Sequence, residues 1–359
     1  MPPRDEPQAI KITLEDLKSI SAPGTLDAPD AKAATLATDS AKSYGNIATA
    51  SDESPVSSDT RPSIFLQAWF YLGIAGLIGA LTAWGICEPA FLDGQGHRWG
   101  NTWMLPSIVT LLCVSFGLAE SIVERSGKKA AYRTALAFPL GIIFGFVVDY
   151  MANVVYNVGL GIAASLGVRS YHNPSAWVAR GIGWVVFGVA GGLVYGIIGQ
   201  SAKKAQYGIL GGMLGAGIGG ILFDPISFVT FGFHGAALSR MIGFSLFGFA
   251  TGTAMGIVES ALKDRWLYVS SGPLSGKQFI MYKQVTTIGS SQSCDVYLFK
   301  DPNILPEHAV IEGRGNHLQI RANGLVYVAG QPVQTRVLAD GDFLQIGRYG
   351  FRYKEKQKS

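Results

Sequence analysis

Charge is scarce in this chain. Lys, Arg, Asp and Glu together make 15% of its 359 residues, where an ordinary soluble domain carries about 25%. Cysteine is scarcer still. Cys87, Cys113 and Cys294 lie far apart, which argues against a disulfide framework and leaves buried thiols. His97, His172, His234, His308 and His317 show no ligand spacing, so no metal is expected. There is no Gly-x-Ser-x-Gly elbow and no Walker loop, and so no expected catalytic residue or cofactor. The net charge of +4 is small and sits mostly in Lys and Arg beside apolar runs. It indicates membrane topology and not nucleic-acid binding.

Residues 1–62 lack any apolar run and, Tyr44 aside, any aromatic residue. A secretory signal would begin with an apolar run, so none is expected. The stretch is rich in Ala, Ser, Thr, Pro and Asp and cannot bury enough surface to fold alone. It is expected to be a disordered cytoplasmic head, with one short amphipathic helix over 10–20.

Apolar residues make 48% of the chain, with 46 glycines and a mean hydropathy of +0.26. Apolar runs begin near Ile64, Trp103, Thr134, Trp177, Tyr207 and Ser239. Each is about 20 residues long, enough to cross ~30 Å of hydrocarbon as a helix. The expected spans are 64–88, 103–123, 134–157, 177–199, 207–230 and 239–260. Loop two carries Arg125, Lys128, Lys129 and Arg133, loop four carries Lys203 and Lys204, and Lys263 and Arg265 follow span six. The positive-inside rule puts these segments and both termini in the cytoplasm. The reading is a multi-pass protein of a bacterial inner or plasma membrane.

The spans repeat. Tyr71, Tyr132 and Tyr207 precede Glu88, Asp149 and Asp224 by 17 residues each, and Arg180 to Ile197 aligns with Arg240 to Ile257 at an offset of 60. Three tandem two-helix units are expected. Seventeen residues of helix span about 25 Å, which puts each Tyr at the cytoplasmic interface and each acid near the outer one. An acid at a helix C-terminus and an Arg at a helix N-terminus each oppose the helix dipole. Pairing them compensates both, which predicts an ion-pair ring of Glu88, Asp149, Asp224, Arg180 and Arg240. A cation site is the other reading of those acids. Glu120 and Glu259, near the cytoplasmic ends of even spans, are expected to be solvated. Gly211, Gly215 and Gly219 form a small-xxx-small face, which suits packing inside the bundle or a homodimer seam.

After residue 263 the pattern changes to short alternating strands with turn signals at Asn323-Gly324 and Asp340-Gly341. The series Thr287-Ile288-Gly289-Ser290, Cys294-Asp295-Val296, Leu305-Pro306-Glu307-His308 and Asp340-Gly341-Asp342 resembles a forkhead-associated (FHA) domain, a β-sandwich that reads phosphothreonine. The resemblance implies an architectural role for Gly289 and His308. It also implies a contact edge at Ser290, Ser291, Leu305, Pro306, Asn323 and Gly324. Ser290 stands where the family has an Arg on phosphate, and Leu305 where it has a Ser. Replacing a guanidinium by a hydroxyl removes the strongest phosphate ligand. The sandwich is therefore expected to bind a protein with weak or no dependence on phosphothreonine.

The expected architecture is an all-α polytopic bundle of six helices over 63–262, followed by an all-β FHA-like sandwich over 263–359. Two functions stay open. One is a membrane-anchored adaptor, scaffold or signalling protein whose partners are proteins, phosphorylated or not. The other is a small transporter or channel regulated by the sandwich. The bilayer is a partner in both, and self-association is open in both.

Overall fold

The computed structural model describes residues 63–92, 98–165, 167, 174–315 and 317–356, the side chains of 228 and 230–235 excepted. The expected head and its helix over 10–20 lie outside these residues. The helices are α1 (Ala68–Cys87), α2 (Trp99–Val123), α3 (Gly127–Ser165), α4 (Pro174–Ile198) and α5 (Ala202–Leu262). Together they supply six segments long and apolar enough to cross a membrane, two of them, Ala202–Ser227 and Ala236–Leu262, within α5.

Helical backbone continues where a fifth loop was expected, around 231–238. A straight helix of the 61 residues in α5 would extend about 90 Å. Instead the chain reverses: a Cβ on Gly215 would stand 2.5 Å from the Ala250 carbonyl oxygen and 2.5 Å from the Thr251 Cα. Only glycine admits so close an approach of two backbones. Gly211 lies against Met255 and Gly219 against Phe247, so this face packs on the next span of the same chain. The α3 helix also runs past its expected end at 157, to Ser165.

Two connections between helices have the same geometry. Arg125 and Gln200 each adopt a left-handed backbone, with φ of 54° and 52°. The amide N–H groups of Ser126 and Ser201 donate to the carbonyls five residues back, Ser121 and Gly196, both at 3.1 Å. The same serines then cap the next helix, accepting from the N–H of Lys129 at 3.3 Å and of Lys204 at 3.2 Å. A left-handed residue with this 6→1 bond satisfies the carbonyls that a helix end leaves open.

Only Lys263 and Asp264 separate α5 from β1 (Arg265–Ser271). The other strands are β2 (Gln278–Ile280), β3 (Val285–Gly289), β4 (Val296–Tyr297), β5 (Ala309–Arg314), β6 (His317–Val328), β7 (Gln331–Leu338), β8 (Phe343–Ile346) and β9 (Tyr349–Glu355). Their order is β2-β1-β9-β8-β6-β5-β3-β4, with β7 also on β6. The sheet curls into a nearly closed sandwich. Alternate residues point inward, as the period of two requires. Leu267 and Val269 of β1, Val326 and Val328 of β6, and Phe351 and Tyr353 of β9 are fully buried. The helices and the sandwich fall in one compact unit.

Candidate functional site

The edge at the ends of β3 and β5 is tied together by His308, which is 2% exposed. Its Nδ1 accepts the Leu305 N–H at 3.1 Å, and its Nε2 lies 3.0 Å from the Leu325 carbonyl. An accepting Nδ1 fixes the proton on Nε2, which donates to that carbonyl. The His308 carbonyl accepts the N–H groups of Asn323 and Gly324 at 2.8 and 3.0 Å, and Gly324 lies against the imidazole ring. One buried side chain thus sets the spacing of the 305–308 loop and the 323–325 turn.

Gly289 brings the third loop in. A Cβ there would collide with the Pro306 carbonyl, whose carbon would be 2.7 Å away. Its absence lets the N–H groups of Ser290 and Ser291 donate to the carbonyls of Leu305 and Pro306 at 2.9 and 3.1 Å. The structure therefore brings all six expected edge residues together. Their side chains are poorly suited to phosphate. The Ser290 hydroxyl donates to the Ile304 carbonyl at 2.8 Å, and the Ser291 hydroxyl is paired with that of Ser293 at 2.6 Å. Leu305 and Leu325 are 45% and 61% exposed, and the Asn323 amide donates to the Glu307 carbonyl at 3.3 Å.

The loop from Ser290 to Asp295 also touches the bundle. The Lys128 N–H donates to Gln292 Oε1 at 3.1 Å, and Lys129 Nζ donates to the Asp295 carbonyl at 2.9 Å. Arg125 stacks over the Phe299 ring at 5.2 Å. The Asp295 carboxylate accepts the Thr287 N–H at 3.0 Å and the Lys283 ammonium at 2.9 Å. Burial alone would raise its pKa, but the Thr287 N–H and Lys283 outweigh it and hold the carboxyl below its usual value.

A buried charge network lies where the sandwich meets the bundle. Glu120 accepts both of its bonds from Lys204, at 2.5 and 2.7 Å. Arg133 lies 3.5 Å from both Glu120 and Glu124, and Lys129 lies 2.8 Å from Glu124. Glu259 accepts from Tyr282 of the sandwich and lies 3.4 Å from the Tyr195 hydroxyl. Burial, and next the Glu259 carboxylate, push the Tyr282 phenol well above its ordinary pKa. The expectation that Glu120 and Glu259 are solvated is corrected: Glu259 is 4% exposed because the sandwich covers it. Sequence reasoning also missed Glu124, Lys277 and Tyr282. For Glu124 the nearby Lys128-Lys129 pair was a usable signal, whereas nothing local marks Lys277.

The membrane acids divide. Glu88 accepts from Arg240 at 2.6 and 3.1 Å, and Asp224 accepts from Arg180 at 3.0 Å. Arg240 also lies 4.2 Å from the centre of the Phe91 ring, and Arg180 5.0 Å from that of Tyr156. Asp149 does not join them. Among the described residues it makes no ion pair, and its carboxylate accepts from Asn153 at 3.1 Å. Alignment of Gly117 with Gly256 places Asn101 opposite Arg240 in the first unit. Asn101 bonds the backbone of Leu92, so the third arginine of a symmetric ring is missing.

Sandwich topology, buried histidine and three-loop edge together define an FHA-type interaction module. An FHA domain family model matches residues 286–347. The glycogen accumulation regulator GarA of Mycolicibacterium smegmatis is 31% identical over 96 residues, 26% of this chain and 60% of GarA. An oxoglutarate dehydrogenase inhibitor of Corynebacterium efficiens is 30% identical over 129 residues, 35% of this chain and 87% of that protein. The chain belongs to the FHA-domain family. It spans 60% or less of the length of the GarA-type relatives, 52% of the one from Mycobacterium tuberculosis. A solved FHA structure from work on phosphothreonine-dependent FHA interactions covers 27% of this chain and 100% of its own, with 22% identity and a TM-score of 0.25.

Proposed function

We propose that this is a six-span membrane protein that holds an FHA sandwich at the cytoplasmic face to bind protein partners. The contact edge is Ser290, Ser291, Leu305, Pro306, Asn323 and Gly324, and it binds without depending on phosphothreonine. One observation carries this reading: the Ser290 hydroxyl is spent on a backbone carbonyl while the neighbouring Leu305 side chain is exposed. A phosphate dianion needs charge-assisted donors, whereas an exposed leucine beside a proline offers apolar contact. Relatives named as a regulator and an inhibitor fit a module that binds and does not catalyse.

The domain limits in this reading are 63–262 and 263–359. Loops two and four, rich in Lys and Arg, lie on the sandwich side, which the positive-inside rule makes cytoplasmic, and six crossings bring the N-terminus there too. The matching turns at Arg125 and Gln200 support the repeat of two-helix units. The glycine face of α5 is assigned to packing within the chain, not to a homodimer seam. Two of the three membrane acids are engaged by arginine, which favours a structural ring over a transport path.

The test is to restore the family's phosphate ligands. The double variant Ser290→Arg, Leu305→Ser should gain phosphothreonine-dependent peptide binding that the wild-type chain lacks. If wild type already binds such peptides as well as the double variant does, the reading fails.

A further inference from the structure

A half-open cavity of about 670 Å³ lies between the bundle and the sandwich. That size is typical of small-ligand sites, which run from about 300 to 1,000 Å³. Seven Lys and Arg line it against four Asp and Glu, and Trp69, Tyr71, Phe279 and Tyr282 form part of its wall. The excess of positive charge is therefore three, in a partly aromatic space.

Lys129, Arg133, Lys204 and Lys283 each lie within 3.5 Å of a carboxylate, whereas Lys277, in the β1–β2 connection, has only a long ion pair. Its side chain is 7% exposed, and the nearest carboxylate oxygen, Glu124 Oε1, is 4.0 Å away. That is beyond hydrogen-bond distance. The Phe279 ring centre lies 4.6 Å from its ammonium. Among the described residues nothing accepts a hydrogen bond from this group, whose nitrogen stays open to the cavity. An ammonium has three donors, and here they face the cavity. Burial pulls its pKa down to about 8 against the opposing pull of Glu124 and Glu120.

We propose that this cavity binds a phosphate-bearing anion, with Lys277 as its principal ligand and Lys129 and Arg133 alongside. A polyvalent anion matches the excess of charge, which a single carboxylate does not. The aromatic wall accommodates an organic remainder larger than phosphate itself. Two sources share this chemistry: the headgroup of an anionic phospholipid and a soluble phosphorylated compound. The site is separate from the His308 edge, and its walls come from both parts of the chain.

The experiment uses the full chain. Pyrophosphate is titrated in micelles free of anionic lipid, and thermal unfolding is compared in phosphatidylcholine nanodiscs with and without phosphatidylglycerol. Saturable binding of pyrophosphate identifies a soluble source, and stabilisation by phosphatidylglycerol alone identifies a headgroup. In either arm Lys277→Met should weaken the effect by about tenfold or more, as loss of a charge-assisted contact does. Lys277→Arg should retain it, and Lys300→Met, at an exposed position, should behave as wild type. Circular dichroism confirms that each variant is folded. The proposal is overturned if neither probe has an effect, or if Lys277→Met responds as wild type does.

Discussion

Lys129, at the start of α3, reaches across to the sandwich and donates to the backbone carbonyl of Asp295 at 2.9 Å. With Lys128 and Gln292 beside it, this contact fixes one of the three edge loops against the bundle and leaves Leu305 and Asn323 exposed. Removing the donor should loosen that loop alone. In Lys129→Met, amide exchange at 290–295 should rise by about tenfold, consistent with local opening that costs less than global unfolding. Exchange in β6 and β9 should not change. Hydrogen-exchange mass spectrometry of the full chain decides; an unchanged loop would show that the contact does not hold the sandwich in place.

Asp295 gives the sandwich an acid-sensitive element. Its folded pKa is lowered by the Thr287 N–H and Lys283. The stability it contributes is complete above the unfolded value near ~3.9 and is lost as pH falls through the lower folded value. The carboxylate is partly exposed, so solvent screening keeps the contribution on the order of 1 kcal/mol. Wild type should therefore be more stable than Asp295→Asn at pH 6, and the gap should begin to narrow as pH falls below about 4. Thermal unfolding from pH 6 downward measures it, and a gap that does not narrow as the pH falls, or that narrows only above about pH 4, would contradict the assignment.

The pair of Glu88 with Arg240 should be costly to break from one side. Arg240→Met leaves a carboxylate without its partner and should destabilise the bundle by about 3 kcal/mol. The double variant Glu88→Gln, Arg240→Met should recover much of that loss. Asp149→Asn should cost less than Asp224→Asn, since only Asp224 is held by an arginine. Unfolding of the purified chain in detergent separates these outcomes. Equal losses for Asp149→Asn and Asp224→Asn would show that the arginine pairing adds nothing.

The sequence was most legible where a pattern is local. Six lipid-length apolar runs, the switch to alternation after 263 and the Gly289 and His308 positions all correspond to elements of the fold. What escaped was contact between distant segments. Lys277 lies more than 150 residues from Glu124, and no periodicity links them. Glu259 was expected to be solvated because its own helix ends nearby; Tyr282, brought over it by the sandwich, makes it a buried acceptor. Asp149 was grouped with Glu88 and Asp224 by spacing, but each paired acid takes its arginine from a different unit, and the first unit, left to serve Asp149, has Asn101 at that position. Repeat logic predicts equivalent positions and not equivalent side chains.

The most direct measurement is a titration of the full chain in nanodiscs with matched peptide libraries, one carrying phosphothreonine and one threonine. The account predicts that no peptide gains more than about threefold from the phosphate, since no guanidinium stands at position 290 to receive it. Micromolar binding that vanishes when the phosphate is removed, and that is lost on mutation of Ser290 or Asn323, would contradict it.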